Sequence, residues 1–179
     1  MIVYSDLITG DQVLSDSHPQ KPLVFNGEPI AGVFVVQSRM VTKGPVQVNT
    51  GANASTEGGE DEGVDDQAVK VVDLKDPELG FGYEGPQGYS EGEFNALYKS
   101  WCRAVKEKIE SKNQKPKDFM QAAKAFLPFM KEQFSNFEVY HGKSFSAESF
   151  VLGWWDDEAN EAGAPKFIFF EPALVKEKY

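Results

Sequence analysis

Residues 90 to 134 carry the most regular pattern of apolar and polar positions in the chain. Phe94, Leu97, Tyr98, Trp101, Val105 and Ile109 recur at steps of three and four, one stripe along a helix of about six turns. Ser90 followed by Glu93 is a capping box, the hydroxyl accepting from the amide three residues on and the carboxylate reaching back, so helix entry falls at Ser90. Ser111 to Lys117 is polar and contains Pro116, which predicts a reversal. Phe119, Ala122, Ala123, Phe126, Met130 and Phe134 then form a second stripe. The two stripes predict a two-helix hairpin. Pro128 lies inside the second; it removes an amide and crowds the carbonyl four residues back, which predicts a kink or a helix end near Leu127.

Elsewhere the period is two or the run is wholly apolar. Ile2 to Leu7 alternates as a half-buried strand, Thr9-Gly10-Asp11 is a turn, and Val13 and Leu14 begin a second strand. Ser15 to Pro29, with Pro19, Pro22, Asn26-Gly27 and Pro29, reads as a loop or a set of irregular edge segments. Val33 to Val36 predicts a buried strand that continues through Met40 and Val41, and Val69 to Leu74 another. Past the hairpin, strands are predicted at Phe137 to Tyr140, Phe150 to Trp155 and Lys166 to Phe170. Gly142 to Glu148 is read as a turn, and Asp156 to Gly163 as an acidic reversal joining the last two strands antiparallel. Trp154 and Trp155 point to opposite faces, so one is expected in the core and the other exposed or under a loop. Strands thus flank a helical hairpin instead of alternating with helices, an α+β pattern with mostly antiparallel sheets.

Composition narrows the function classes. A chain of 179 residues, 41% apolar and 13% aromatic, suits one domain with a sizeable core. Cys102 is alone, which excludes an intramolecular disulfide; with only His18 and His141 beside it there is no cysteine–histidine zinc set, and it reads as a half-buried helix thiol. No window approaches the ~18 apolar residues of a membrane span. Met1 to Gly10 lacks both the basic region and the apolar run of a secretory signal, so a cytoplasmic protein is expected. A net charge of −10 argues against general nucleic-acid binding, but the charge is uneven. Six acids and no base fall between Glu57 and Asp66. Between Lys99 and Lys117 seven bases, among them Lys99, Arg103, Lys106 and Lys112, face only Glu107 and Glu110. Two readings of that basic face stay open: a solvated surface with pairs four apart, such as Arg103 with Glu107, or a docking surface for an acidic partner. Residues 48–69, rich in glycine, small polar residues and acids, predict a mobile acidic loop.

No catalytic constellation stands out, and the chain does not read as an enzyme. His18 and His141 lie over a hundred residues apart and read as ordinary surface or turn histidines. The acidic clusters at 57–66 and 156–161 lack the alternating spacing of an EF-hand, which favours weak over tight Ca²⁺ association. Gly80-Phe81-Gly82-Tyr83-Glu84-Gly85 satisfies GxGxxG, but Pro86 and Gly88 separate it from the helix it would have to open, so it reads as a glycine-rich connector.

Several separated stretches agree on one resemblance. Gly51-Ala52-Asn53-Ala54-Ser55-Thr56-Glu57-Gly58, entering the acidic stretch, resembles the first signature of the translationally controlled tumour protein family. Met1-Ile2-Val3-Tyr4-Ser5-Asp6-Leu7, with Asp11, Ser15 and Asp16 behind it, is similar to that family's N-terminus, and Lys166 to Phe170 to a segment near its end. Phe137 to Lys143 keeps the aromatic strand and glycine of the second signature, with Lys143 where the family usually has glutamate. The resemblance implies a β-tent fold, like that of Rab-binding accessory proteins, with a projecting helical hairpin. It further implies a Ca²⁺-binding, microtubule-associated, growth-promoting and anti-apoptotic protein, in some accounts an exchange factor for Rheb-type small GTPases. The weak Ca²⁺ site it implies maps to Asn53 and Glu138. The GTPase-facing edge maps to Asp11 and Gln12, the latter departing from the family's usual glutamate. The basic hairpin would suit acidic tubulin tails. An interaction protein and a nucleotide-release factor for a Rheb- or Rab-type GTPase are therefore the two functions expected.

Overall fold

The computed structural model describes residues 1–43 and 69–179, so Asn53 and all of the expected acidic loop but Val69 lie outside the described residues. The chain opens with β1 (Ile2–Asp6) and β2 (Gln12–Ser15), then β3 (Lys21–Phe25), β4 (Glu28–Gln37) and β5 (Met40–Lys43). Beyond residue 68 come β6 (Val69–Val72), β7 (Glu84–Gln87) and the helices α1 (Glu91–Ser111) and α2 (Lys117–Gln133). The last part holds β8 (Phe137–His141), β9 (Val151–Trp154), a short α3 (Asp157–Ala162), β10 (Lys166–Phe170) and β11 (Leu174–Lys178). The described strands form a six-stranded sheet ordered β3-β4-β10-β9-β8-β7, a three-stranded sheet ordered β11-β1-β2, and the ribbon β5-β6. Every pairing among the described residues is antiparallel.

The apolar runs are continuous because the large sheet is covered on both faces. Val33 and Val35 of β4, Val139 of β8, Leu152 of β9 and Ile168 and Phe170 of β10 point to one side, into a cluster with Phe94, Trp101, Phe119 and Phe126 from the helices. Their neighbours Phe34, Val36, Tyr140, Val151, Phe167 and Phe169 point to the other side, where Tyr4, Val13 and Leu14 of the small sheet meet them. The period of two is thus present twice over, once for each face. Helical hairpin, six-stranded sheet and three-stranded sheet stack in that order.

The helix boundaries follow the capping logic. Ser90 accepts from the Glu93 amide and the Glu93 carboxylate accepts from the Ser90 amide, the reciprocal pair expected. Pro128 does not end α2, which runs on to Gln133. Phe126, Phe129 and Met130 are buried on both sides of the proline, so packing against the sheet holds the last turns in place.

Four local readings are corrected. Within Ser15 to Pro29, expected as a loop or irregular edge segments, lies a regular edge strand: Asn26 and Gly27 both take positive φ, 54° and 82°, and turn β3 into β4 as a hairpin. The run from Val33 does not continue to Val41; it stops at Gln37, and β5 pairs away from the large sheet with β6. The glycine-rich connector ends in an edge strand, β7, which pairs with β8. The acidic reversal contains α3, capped by Asp156 and closed by Gly163 in the left-handed region.

Candidate interaction surfaces

The turn between β1 and β2 is built around one carboxylate. Asp6 Oδ1 accepts from the amides of Ile8 at 2.8 Å and Thr9 at 3.0 Å, and Gly10, with φ of 80°, returns the chain towards Asp11. The loop at 142–149 is strapped onto this turn by two serines. Ser144 Oγ donates to Asp11 Oδ2 at 2.7 Å, and Ser149 Oγ donates to Asp6 Oδ2 at 2.5 Å. Gly142 makes room at the crossing, since a Cβ there would stand 2.5 Å from Asp11 Oδ2 and push that side chain aside. Burial holds the Asp6 carboxyl above its ordinary value, against the bonds from Ser149 and the two amides, which pull it down.

His141 anchors the strap from beneath, and here the reading of it as a surface or turn histidine is wrong. The ring is 2% exposed, with Nδ1 2.7 Å from the Ser149 carbonyl and Nε2 2.8 Å from the Tyr89 hydroxyl. A carbonyl only accepts, so Nδ1 carries a proton and donates to it, while Nε2 bonds the Tyr89 hydroxyl. Phe145, at φ of 58°, lies with its ring centroid 5.8 Å from that of His141 and is itself 56% exposed. Gln12 is exposed beside this assembly, whereas Asp11 is half-buried and already engaged. His18 reaches Asp73 at 3.0 Å on a different part of the surface.

Glu138 sits on β8, where its Oε1 accepts from Trp155 Nε1 at 2.7 Å and Tyr140 Oη at 3.0 Å. One oxygen remains for any cation, against the six to eight that Ca²⁺ takes. Among the described residues no group of three or more acidic, histidine or cysteine side chains is placed to hold a metal. Trp154 and Trp155 are both half-buried, Trp154 against the ring of Phe129 at 5.0 Å and Trp155 on Glu138.

The hairpin turns a second stripe outward. Lys99, Cys102, Arg103 and Lys106 on α1 face Met120, Ala123, Lys124 and Leu127 on α2 across a groove of about 450 Å³, with Tyr98 at its base. Tyr98 donates to the Ala123 carbonyl at 2.8 Å and so ties the two helices together. Burial pushes the Cys102 thiol up to about 11, which leaves it a poor nucleophile. Lys112 caps the end of α1, exposed near the tip of the hairpin. The expected pair between Arg103 and Glu107 does not form, and none of Lys99, Arg103, Lys106 or Lys112 makes a salt bridge with a described residue.

The family described as translationally controlled tumour protein matches residues 1–175. This chain belongs to that family. Its fold is similar to that of the translationally controlled tumour-associated protein p23fyp of Schizosaccharomyces pombe, with a TM-score of 0.72 and 25% identity over 100% of both chains. The translationally controlled tumour protein of Caenorhabditis elegans, at 20% identity, shares the fold with a TM-score of 0.57 over all of this chain and 99% of its own. In this family member the turn at Asp11 and Gln12 joins β1 to β2, and the basic outer face lies on α1 and α2. Asp6, Ser144, Ser149 and Tyr89 escaped the sequence reading because the bonds that matter join residues 143, 133 and 52 positions apart. Met120 and Leu127 escaped it because the stripe they belong to is broken by lysines.

Proposed function

We propose that this member of the translationally controlled tumour protein family is an interaction protein of growth and survival regulation that docks acidic macromolecules, tubulin among them, on its helical hairpin. The observation that carries this reading is the cationic outer face: Lys99, Arg103, Lys106 and Lys112 are exposed and lack carboxylate partners among the described residues. Charges held apart from counter-charges steer an acidic partner and lose their pull as salt rises. Co-sedimentation with microtubules tests it. The wild-type chain should pellet at low salt, and replacement of all four bases by glutamine should leave it in the supernatant; equal pelleting of both would end the reading.

A second reading is favoured by the turn at Asp11 and Gln12, which is held rigid by the serine strap and presents Gln12 and Phe145 to solvent. It makes the chain a nucleotide-release factor for a Rheb- or Rab-type GTPase. Stopped-flow release of a fluorescent guanine nucleotide decides it: no acceleration at micromolar chain removes it. Weak Ca²⁺ association at Asn53 and Glu138 is proposed on the family resemblance alone, since the described donors offer one free oxygen. Amide shifts confined to those two residues would support it, and shifts spread over all surface acids would mean screening.

A further inference from the structure

The groove between α1 and α2 has a form that a purely electrostatic docking face does not need. Lys99, Cys102, Arg103 and Lys106 stand at positions i, i+3, i+4 and i+7 of one helix; Met120, Ala123, Lys124 and Leu127 repeat that spacing on the other. Such paired stripes form the seam into which a third helix packs its ridge. Along the floor, Met120 is 40% and Leu127 36% exposed, with Cys102 half-buried between the helices. At the rim, Lys99, Arg103 and Lys106 stand on one wall and Lys124 on the other, with no carboxylate lining the groove.

We infer that this groove seats an amphipathic α-helix from a partner protein, one whose apolar ridge fills the floor and whose flanking glutamates or aspartates meet the four cations. This rests on the reading of the hairpin as a docking face for acidic partners and specifies the partner's structure. Both walls are helices whose backbone groups are bonded internally, so an extended peptide would find no ladder to join, whereas a helix brings its own hydrogen bonds satisfied. A wholly polar acidic tail would reach the rim cations but leave Met120 and Leu127 in water. Single-stranded nucleic acid stacks on exposed aromatic rings, and this groove offers aliphatic and sulfur groups in their place.

The test uses the whole chain and a fluorescein-labelled peptide of about 18 residues, long enough to hold helix in water, with leucines at i, i+3, i+4 and i+7 flanked by glutamates. One control replaces its leucines by serine, the other its glutamates by lysine. By fluorescence anisotropy the parent peptide should bind at least roughly tenfold more tightly than either control. Met120→Ser with Leu127→Ser should weaken it by a similar factor without moving the thermal midpoint much, since both side chains are exposed. The parent peptide, and not the serine control, should slow alkylation of Cys102, the chain's single thiol. Equal binding of the serine control, or no effect of the floor substitutions, overturns the groove and leaves the general acidic reading standing. Binding to anionic vesicles without binding to the parent peptide also overturns it. Failure of the broader reading shows separately, as equal microtubule pelleting by the wild-type chain and the chain with all four bases replaced.

Discussion

Asp6 holds the first turn together while sitting in a place that disfavours its charge. Its bonds to Ile8, Thr9 and Ser149 need acceptor oxygens, but burial raises the carboxyl above its ordinary value of 3.8. The sign follows by linkage. A carboxyl whose folded value is raised adds most to stability below its unfolded value, and that contribution is lost as pH rises through the folded one. Asp6→Asn keeps an acceptor for the two amides, turns its own NH₂ to Ser149 Oγ, and removes the desolvated charge. Thermal midpoints measured from pH 4 to 8 should therefore show the variant more stable than the wild type near neutrality, with the advantage shrinking towards pH 4. A variant less stable at pH 7 would mean that the carboxylate's hydrogen bonds outweigh its desolvation. Neither this residue's role nor the burial of His141 was legible along the chain. A histidine followed by glycine looks like a turn residue until Tyr89 and the Ser149 carbonyl, brought from elsewhere, satisfy both ring nitrogens.

At the scale of elements, the helices were readable where chemistry is local. The capping box at Ser90 and Glu93 needs four residues to be seen and forms as expected. Ser90→Ala should cost about 1 kcal/mol in chemical denaturation, and Glu93→Gln less, because a glutamine still accepts from the Ser90 amide. Pro128 was legible as a residue but not in its outcome, because packing on both sides of it carries the helix past the missing hydrogen bond. Pro128→Ala restores an amide that can donate to the Lys124 carbonyl, and the exposed site leaves room for the change. Its thermal midpoint should rise; a fall would show that the proline is pre-organising a bend the sheet requires. The β3–β4 hairpin was missed for a different reason. Pro22 and Pro29 disguise its strands as loop, yet β3 is an edge strand, where a missing donor is tolerated, and Asn26-Gly27 is the turn such a hairpin uses.

For the whole molecule, the fold class was legible because the apolar residues report burial on two faces. Val33 to Val36 and Phe167 to Phe170 lack polar alternation, and both stretches lie between the helical layer and the small sheet. Phe126 is where the helical layer meets the large sheet, its ring centroid 5.0 Å from that of Phe170 and 5.4 Å from that of Phe129. Phe126→Ala should lower stability by about 3–5 kcal/mol in urea titration with the m-value little changed, and a loss under about 1 kcal/mol would deny that this interface carries the fold. The layer order itself was not legible. It depends on strands distant in sequence, such as β4 beside β10, and on β11 returning to pair with β1.

The ribbon β5-β6 brings Lys43 and Val69 to facing positions, and the Lys43 ammonium is clamped by Asp76 at 3.1 Å and by Glu78. The ends of the two ribbon strands therefore stand side by side, forming a narrow collar. A flexible peptide joined between two such ends costs on the order of 0.6 kcal/mol in closure entropy for each doubling of its length, small beside the packing energy of either core. The collar is thus a natural port: a reporter, tag or foreign peptide spliced into it should ride on the protein while both docking faces keep their shape.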